Sequence, residues 1–273
     1  MKVEELAEKL MSYRTVSPVT DPDVFIFIKG ILEKRGIEAE VVESNGVYNL
    51  VAETGNGDTV ICFNGHLDVV EPEGEWEVTE PFEPRVQDGR LYGRGAADMK
   101  GAFAAQMKAF MQLHQDPDFE GRAVLMAVGD EEVGGFNGTA ALLEDYMNET
   151  DFDYAVVGEA TDLDIQVGTR GVLWVDVELE GDGIHATRSG LAERNIPDEL
   201  PEVLERLEEL EMSHEEPSML PEPSSEVTLV ETTDTYNSIP GYATIGMDIR
   251  YLPGQKPDQI IEDIRNCLDG VKL

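Results

Sequence analysis

Short apolar runs alternate with amphipathic stretches along the first 160 or so residues. The spacing at 3–12 and 23–35 predicts helices, and the continuous apolar run at 122–128 predicts a buried strand. We also predict strands at 37–42, 49–53, 59–64 and 154–157, the last two of them buried, and helices at 99–112 and 139–146. Strands that alternate with helices are typical of an α/β domain. We therefore expect a largely parallel central sheet flanked by helices over residues 1–171.

The pattern changes after residue 171. Residues 172–180 alternate apolar and polar positions, which indicates a half-buried antiparallel strand. Helices follow at 197–212 and 257–268, and strands at 227–233 and 243–250. The order β-α-β-β-α is that of a ferredoxin-like unit without its last strand. We therefore predict a second domain, 172–273, with an incomplete ferredoxin-like α+β fold.

The acidic charge of the chain excludes several classes of partner. Asp and Glu number 57 against 20 Lys and Arg, which gives a formal net charge of −37. Such a chain repels phosphate, so no nucleic-acid partner is expected. The apolar runs are far shorter than the ~20 residues that span a bilayer, so no membrane partner is expected either. Strong self-repulsion favours a salt-adapted organism, and the two cysteines fit a reducing cytoplasm.

Several residues that can bind metals follow the predicted strands of the first domain. In α/β sheets the functional sites lie beyond the carboxyl ends of the strands. Each motif also has an ordinary interpretation: a hydrogen-bonded structural histidine, a helix N-cap, or a solvated acidic turn. The motifs contain His66 and Asp68, Asp98, the pair Glu131 and Glu132, and Glu159.

In this order the motifs resemble the M20 metallopeptidase family, which includes aminoacylases, acetylornithine deacetylases, succinyl-diaminopimelate desuccinylases and carboxypeptidases. The resemblance continues in the second domain, with motifs at 168–171, 237–240 and 248–250 and a histidine at His185. It implies metal-dependent hydrolysis of an amide bond in an N-acyl amino acid. It also implies a homodimer formed through the second domain, although the family's Asn-Ala-Ile sequence is replaced here by Asn195, Ile196 and Pro197.

The resemblance assigns two Zn²⁺ ions, with Co²⁺ as a substitute, to four ligands. His66 and Glu159 hold one ion, Glu132 holds the second, and Asp98 bridges both. The resemblance also implies a cis peptide bond directly after Asp98.

The same resemblance assigns the catalytic and substrate-binding roles. Asp68 orients the imidazole ring of the metal-binding histidine, and Glu131 is the general base. His185 donates a hydrogen bond to the reacting oxygen. Asn237 and Arg250 bind the substrate carboxylate.

The chain departs from the family pattern at its C-terminal end. The family's last zinc ligand is a histidine near the C-terminus, and no such histidine follows here. We therefore expect a fragment or a natural truncation, in which the second ion has only two carboxylate ligands. The alternative function is that of a catalytically impaired relative that binds a ligand or a partner.

Overall fold

The chain forms two compact units, Met1–Asp164 and Ile165–Leu273, and each of them contains one main β-sheet. The structure is a computed structural model that describes residues 1–148, 150–215, 219–232 and 235–271. Within those ranges, no helix has both the length and the apolar character needed to cross a membrane. The predicted domain division after residue 171 stays a prediction.

The first unit contains a five-stranded sheet in the order β1-β2-β6-β3-β7. The strands β1, β2 and β6 pair antiparallel, whereas β6, β3 and β7 pair parallel. The α/β class is confirmed, with a mixed sheet whose parallel part carries the predicted motifs. The strands are β1 Ala39–Ser44, β2 Val47–Gly55, β3 Val60–His66, β6 Arg122–Val128 and β7 Tyr154–Val157; a small hairpin is formed by β4 Arg85–Gln87 and β5 Arg90–Tyr92.

Three helices bury their apolar faces in the core of this unit: α1 Val3–Met11, α2 Asp23–Glu33 and α3 Lys100–Gln115. In α3, Phe103, Met107 and Phe110 recur at helical spacing and are fully buried. The helix predicted at 139–146 is replaced by two short π-helical turns, Phe136–Ala140 and Leu142–Tyr146. The backbone of Gly138 is not helical, which interrupts a regular helix.

The prediction that β7 is buried is wrong. β7 lies at one end of the sheet order and pairs only with β3 among the described strands. Tyr154 is 63% exposed and Val157 is 54% exposed. A short apolar run predicts a strand, but it does not distinguish a central strand from an edge strand.

The second unit contains a three-stranded antiparallel sheet in the order β8-β10-β9. Two helices pack against one face of it and share a core with Leu179, Ile245 and Ile249. The order β-α-β-β-α agrees with the ferredoxin-like pattern. The elements are β8 Gly171–Glu180, α4 Ile196–Glu208, β9 Ser224–Thr232, β10 Tyr242–Tyr251 and α5 Pro257–Cys267.

Candidate metal centre

His66 ends β3, and three carboxylates from other parts of the first unit surround its Nε2 atom. The distances from Nε2 are 2.8 Å to Oδ1 of Asp98, 3.8 Å to Oε2 of Glu131 and 3.9 Å to Oε1 of Glu159. Asp98 precedes α3, whereas Glu131 and Glu159 follow β6 and β7. The parallel strands β3, β6 and β7 have their carboxyl ends at one edge of the sheet, and this brings the side chains together.

Hydrogen bonding fixes the orientation of the His66 ring. Its Nδ1 atom lies 2.9 Å from the backbone oxygen of Asp68. A carbonyl oxygen only accepts, so Nδ1 carries the proton and donates it. The ring is buried, and Nε2 faces the carboxylates, which is the arrangement of a metal-ligating histidine. The Asp68 carboxylate is 3.5 Å from Nδ1, farther away than the backbone oxygen of the same residue.

Asp68 is fully buried and connects three parts of the chain. Its Oδ2 atom accepts hydrogen bonds from Ser17 Oγ at 2.7 Å and from the Glu132 backbone N–H at 2.9 Å. Burial opposes ionisation of Asp68, but the effects of His66, Ser17 and Glu132 outweigh it and lower the pKa of this carboxyl. The role of Ser17 was not predicted, because a serine before a proline looks like an ordinary turn.

The electrostatics of the cluster favour a cation. Burial raises the pKa of Glu131, Glu132 and Glu159, and neighbouring carboxylates raise it further, against the opposing effect of His66. Burial lowers the pKa of His66, but the Asp68 and Glu131 carboxylates outweigh this and raise it to about 9. Among the described residues, no lysine or arginine forms an ion pair with the glutamates of this cluster.

The donor set fits a divalent metal ion. One ligand atom each from His66, Asp98 and Glu159 lie within 4.8 Å of one another. One imidazole nitrogen with carboxylate oxygens is a set that Zn²⁺ and related ions accept. The peptide bond between Asp98 and Met99 is cis, as the resemblance implies. Glu132 lies beside this cluster. Its backbone N–H donates to Asp68, and the charge of Asp98 adds to the effect of burial in raising the pKa of Glu132.

The remaining predicted site residues lie in the second unit. Backbone hydrogen bonds join the segments that contain His185 and Asn237, from Ala186 N–H to Asn237 O at 2.8 Å. Nδ1 of His185 accepts from the Thr187 N–H, so the ring is a donor at Nε2 when it is neutral.

Arg250 is already paired with a carboxylate of its own strand. Its Nε and Nη2 atoms donate to the two oxygens of Asp248, at 2.6 and 3.0 Å. Trp174 Nε1 also donates to Asp248, at 3.0 Å. A substrate carboxylate would therefore compete with Asp248 for this guanidinium group.

The profile of peptidase family M20/M25/M40 matches residues 62–264. The chain belongs to this family. Its M20 relatives include the succinyl-diaminopimelate desuccinylase of Wolbachia pipientis, 33% identical over 283 residues, which covers 99% of this chain and 70% of that protein. The enzyme of the same name from Parvibaculum lavamentivorans is 38% identical over 240 residues, covering 82% and 58%. The chain thus spans about two thirds of the length of these relatives.

Solved structures of M20 proteins share the fold. An M20 family metallo-carboxypeptidase from Sulfolobus solfataricus has a TM-score of 0.74 at 19% identity, covering 99% of this chain and 76% of that chain. A dinuclear metal-binding peptidase of the M20 family from Bacillus subtilis has a TM-score of 0.66 at 16% identity, covering 99% and 70%. The predicted family is therefore confirmed. The relatives agree with the predicted reaction class, metal-dependent hydrolysis of an amide bond in an N-acyl amino acid.

Proposed function

We propose that this chain carries the catalytic centre of a metal-dependent amidohydrolase that cleaves an N-acyl amino acid. The observation that carries the proposal is the convergence of His66, Asp98 and Glu159 around one point, with Glu131 beside them. The ordinary interpretation of these motifs, separate acidic turns, does not account for three carboxylates that meet at one buried imidazole.

The proposed metal is zinc: His66 and Glu159 would hold one ion, Glu132 would hold a second, and Asp98 would contribute to both sites. When bound, such ions polarise the substrate carbonyl and lower the pKa of water. The backbone oxygen of Asp68 accepts from Nδ1 of the His66 ring and so directs Nε2 toward the ion.

Glu131 is the proposed general base. It accepts a proton from the attacking water and returns it to the nitrogen of the leaving amine. In the metal-free protein, burial and nearby carboxylates raise the pKa of Glu131.

The second unit supplies the proposed contacts to the substrate. His185 donates from Nε2 to the oxyanion that forms at the scissile carbonyl. Asn237 and Arg250 bind the substrate carboxylate. We also propose a homodimer formed through this unit and a cytoplasmic location, which the two free cysteines support.

The names of the relatives favour succinyl-diaminopimelate as the substrate, and an acetylated ornithine is the second candidate. The test is metal analysis of the purified protein, followed by hydrolysis assays with both substrates in about 2 M salt, a concentration that screens surface charge. We expect bound zinc and release of succinate. If the fully metal-loaded protein hydrolyses neither substrate, the proposal is rejected.

A second candidate function is that of a non-catalytic relative that binds the substrate or a partner. The observation that favours it is the composition of the cluster: among the described residues, His66, Asp98 and Glu159 bring ligand atoms within 4.8 Å of one another, and Glu132 does not join them. Calorimetric binding of the N-acyl substrate without turnover would support this function. Turnover would exclude it.

A further inference from the structure

Asp130 precedes the two glutamates of the candidate site but is turned away from them into the protein. It is 2% exposed, and its Oδ2 atom accepts a hydrogen bond from the Asn137 backbone N–H at 2.8 Å. Its backbone oxygen accepts from the N–H groups of Val133 and Gly135, at 3.2 and 2.9 Å. Asp130 thus holds the loop through hydrogen bonds to both its backbone oxygen and its side chain.

Asn49, in β2, holds the same loop from the neighbouring strand. It is fully buried, its Oδ1 atom accepts from the Gly129 N–H at 3.2 Å, and its Nδ2 atom donates to the Asn137 oxygen at 2.9 Å. Asn45 adds a bond from Nδ2 to the Asn137 side-chain oxygen at 2.8 Å. Asn49 therefore fixes the two ends of segment 129–137, between which both glutamates lie.

Close packing leaves this loop little freedom. A Cβ atom on Gly138 would lie 2.2 Å from Oδ1 of Asp130 and 3.1 Å from Cβ of Val128. Only glycine allows the chain to pass so close to the buried carboxylate. Neither Asn49 nor Asp130 belongs to the group of side chains that surrounds His66.

We propose that Asn49 and Asp130 are positioning residues, which hold the 129–138 loop so that Glu131 and Glu132 face the metal centre. This inference rests on the proposed function for the roles of the two glutamates. Besides one long contact from Asn49 Nδ2 to the Val47 oxygen at 3.5 Å, the hydrogen bonds described for these two side chains go to the loop. They therefore serve the shape of the loop, because the β2–β6 pairing already joins the strands.

Two substitutions test the proposal, Asn49→Leu and Asp130→Leu, with His114→Leu as the matched control. His114 also makes two hydrogen bonds between elements, to Thr54 at 2.7 Å and to the Arg35 oxygen at 3.1 Å, but it does not touch the loop. We expect the two loop variants to lose about 10- to 100-fold in kcat with KM nearly unchanged, as for a misplaced general base. The control should keep kcat.

Hydrogen exchange of the metal-free protein gives a readout independent of activity. Both loop variants should speed exchange across 129–138 about tenfold relative to exchange in α3, whereas the control should not. Asp130→Asn should restore slow exchange and most of kcat, because its side-chain oxygen still accepts from Asn137. Where Asn49→Leu does not fold, Asn49→Ala replaces it, since it removes the same two loop hydrogen bonds with a smaller side chain.

Unchanged exchange across 129–138 in the loop variants, or a loss of kcat no larger than in the control, would overturn the proposal. A wild-type protein without hydrolase activity would instead reject the proposed function. The exchange data and the zinc dissociation constants of the variants would still decide whether Asn49 and Asp130 order this loop.

Discussion

At the scale of single residues, the chemistry of the site could be predicted because its residue types follow strand ends in a recognisable order. His66, Asp98 and Glu159 were expected together and lie together. Residues that act through hydrogen bonds alone were not predictable, because Ser17 and Asn49 look like any serine and asparagine in a sequence. Their contacts join positions 51 and 88 residues apart, respectively.

Glu131→Gln separates metal binding from proton transfer. The amide cannot accept the proton, so we expect kcat to fall about 10²- to 10⁴-fold. His66 and Asp98 keep their arrangement, so zinc content measured by plasma mass spectrometry should stay at the wild-type value. His66→Asn is the contrasting variant and should lose zinc as well as activity. A Glu131→Gln protein with wild-type kcat would contradict the assigned role.

The two cysteines should differ in reactivity. Burial raises the pKa of Cys62 to about 11, so at pH 8 it remains a neutral thiol inside the core. Burial also raises the pKa of Cys267, but this thiol is only partly buried and is therefore accessible to a reagent. A thiol-specific disulfide reagent should therefore modify one cysteine rapidly in the native protein and two in denaturant. Cys267→Ala should remove the rapid phase. Rapid modification of native Cys62 would show that the core around β3 opens easily.

At the scale of elements, strand and helix positions followed from periodicity, and the departures have local causes. The run at 154–157 is a strand, but its place at the sheet edge depends on pairing that the run itself does not encode. The helix expected at 139–146 is replaced by π-helical turns, and the non-helical backbone of Gly138 lies just before the predicted start. The sequence pattern encodes neither the strand pairing nor this local geometry.

Gly65→Ala tests the packing of β3 against α3. A Cβ atom at this position would lie 2.6 Å from Cε of Met99 and 2.8 Å from Cδ2 of Phe103. We expect the free energy of unfolding to fall by about 1–3 kcal/mol, measured by urea denaturation. Gly30→Ala, inside α2, is the control, because nothing lies within 4 Å of its Cβ position. It should stabilise the helix by about 0.5–1 kcal/mol.

At the scale of the whole molecule, the net charge follows directly from the amino-acid composition. The net charge of −37 is spread over both units, and few of the carboxylates in the described part of the chain form an ion pair with Lys or Arg. Mutual repulsion of this kind opposes compact structure unless ions screen it. The change in the pattern of elements after residue 171 predicts a second domain, whereas the contacts of the folded chain divide it into units after Asp164.

Salt should therefore stabilise the folded protein. Between about 0.1 and 2 M KCl the Debye length falls from roughly 10 Å to below 3 Å, so we expect Tm to rise steadily. Scanning calorimetry at both concentrations measures this, and sucrose at matched water activity controls for effects that do not depend on charge. A Tm that is independent of KCl would contradict a salt-adapted surface.

One oxygen of Asp68 accepts hydrogen bonds from both Ser17 and the Glu132 amide, and this shared contact has a consequence for proteolysis. It links the N-terminal turn between α1 and α2 to the residues that would perform the reaction, although more than a hundred positions separate them in the sequence. A proteolytic cut within that turn would leave the side chains of the candidate metal centre intact, but it would release Ser17 from its fixed position. Limited digestion there should consequently slow turnover before it unfolds the protein.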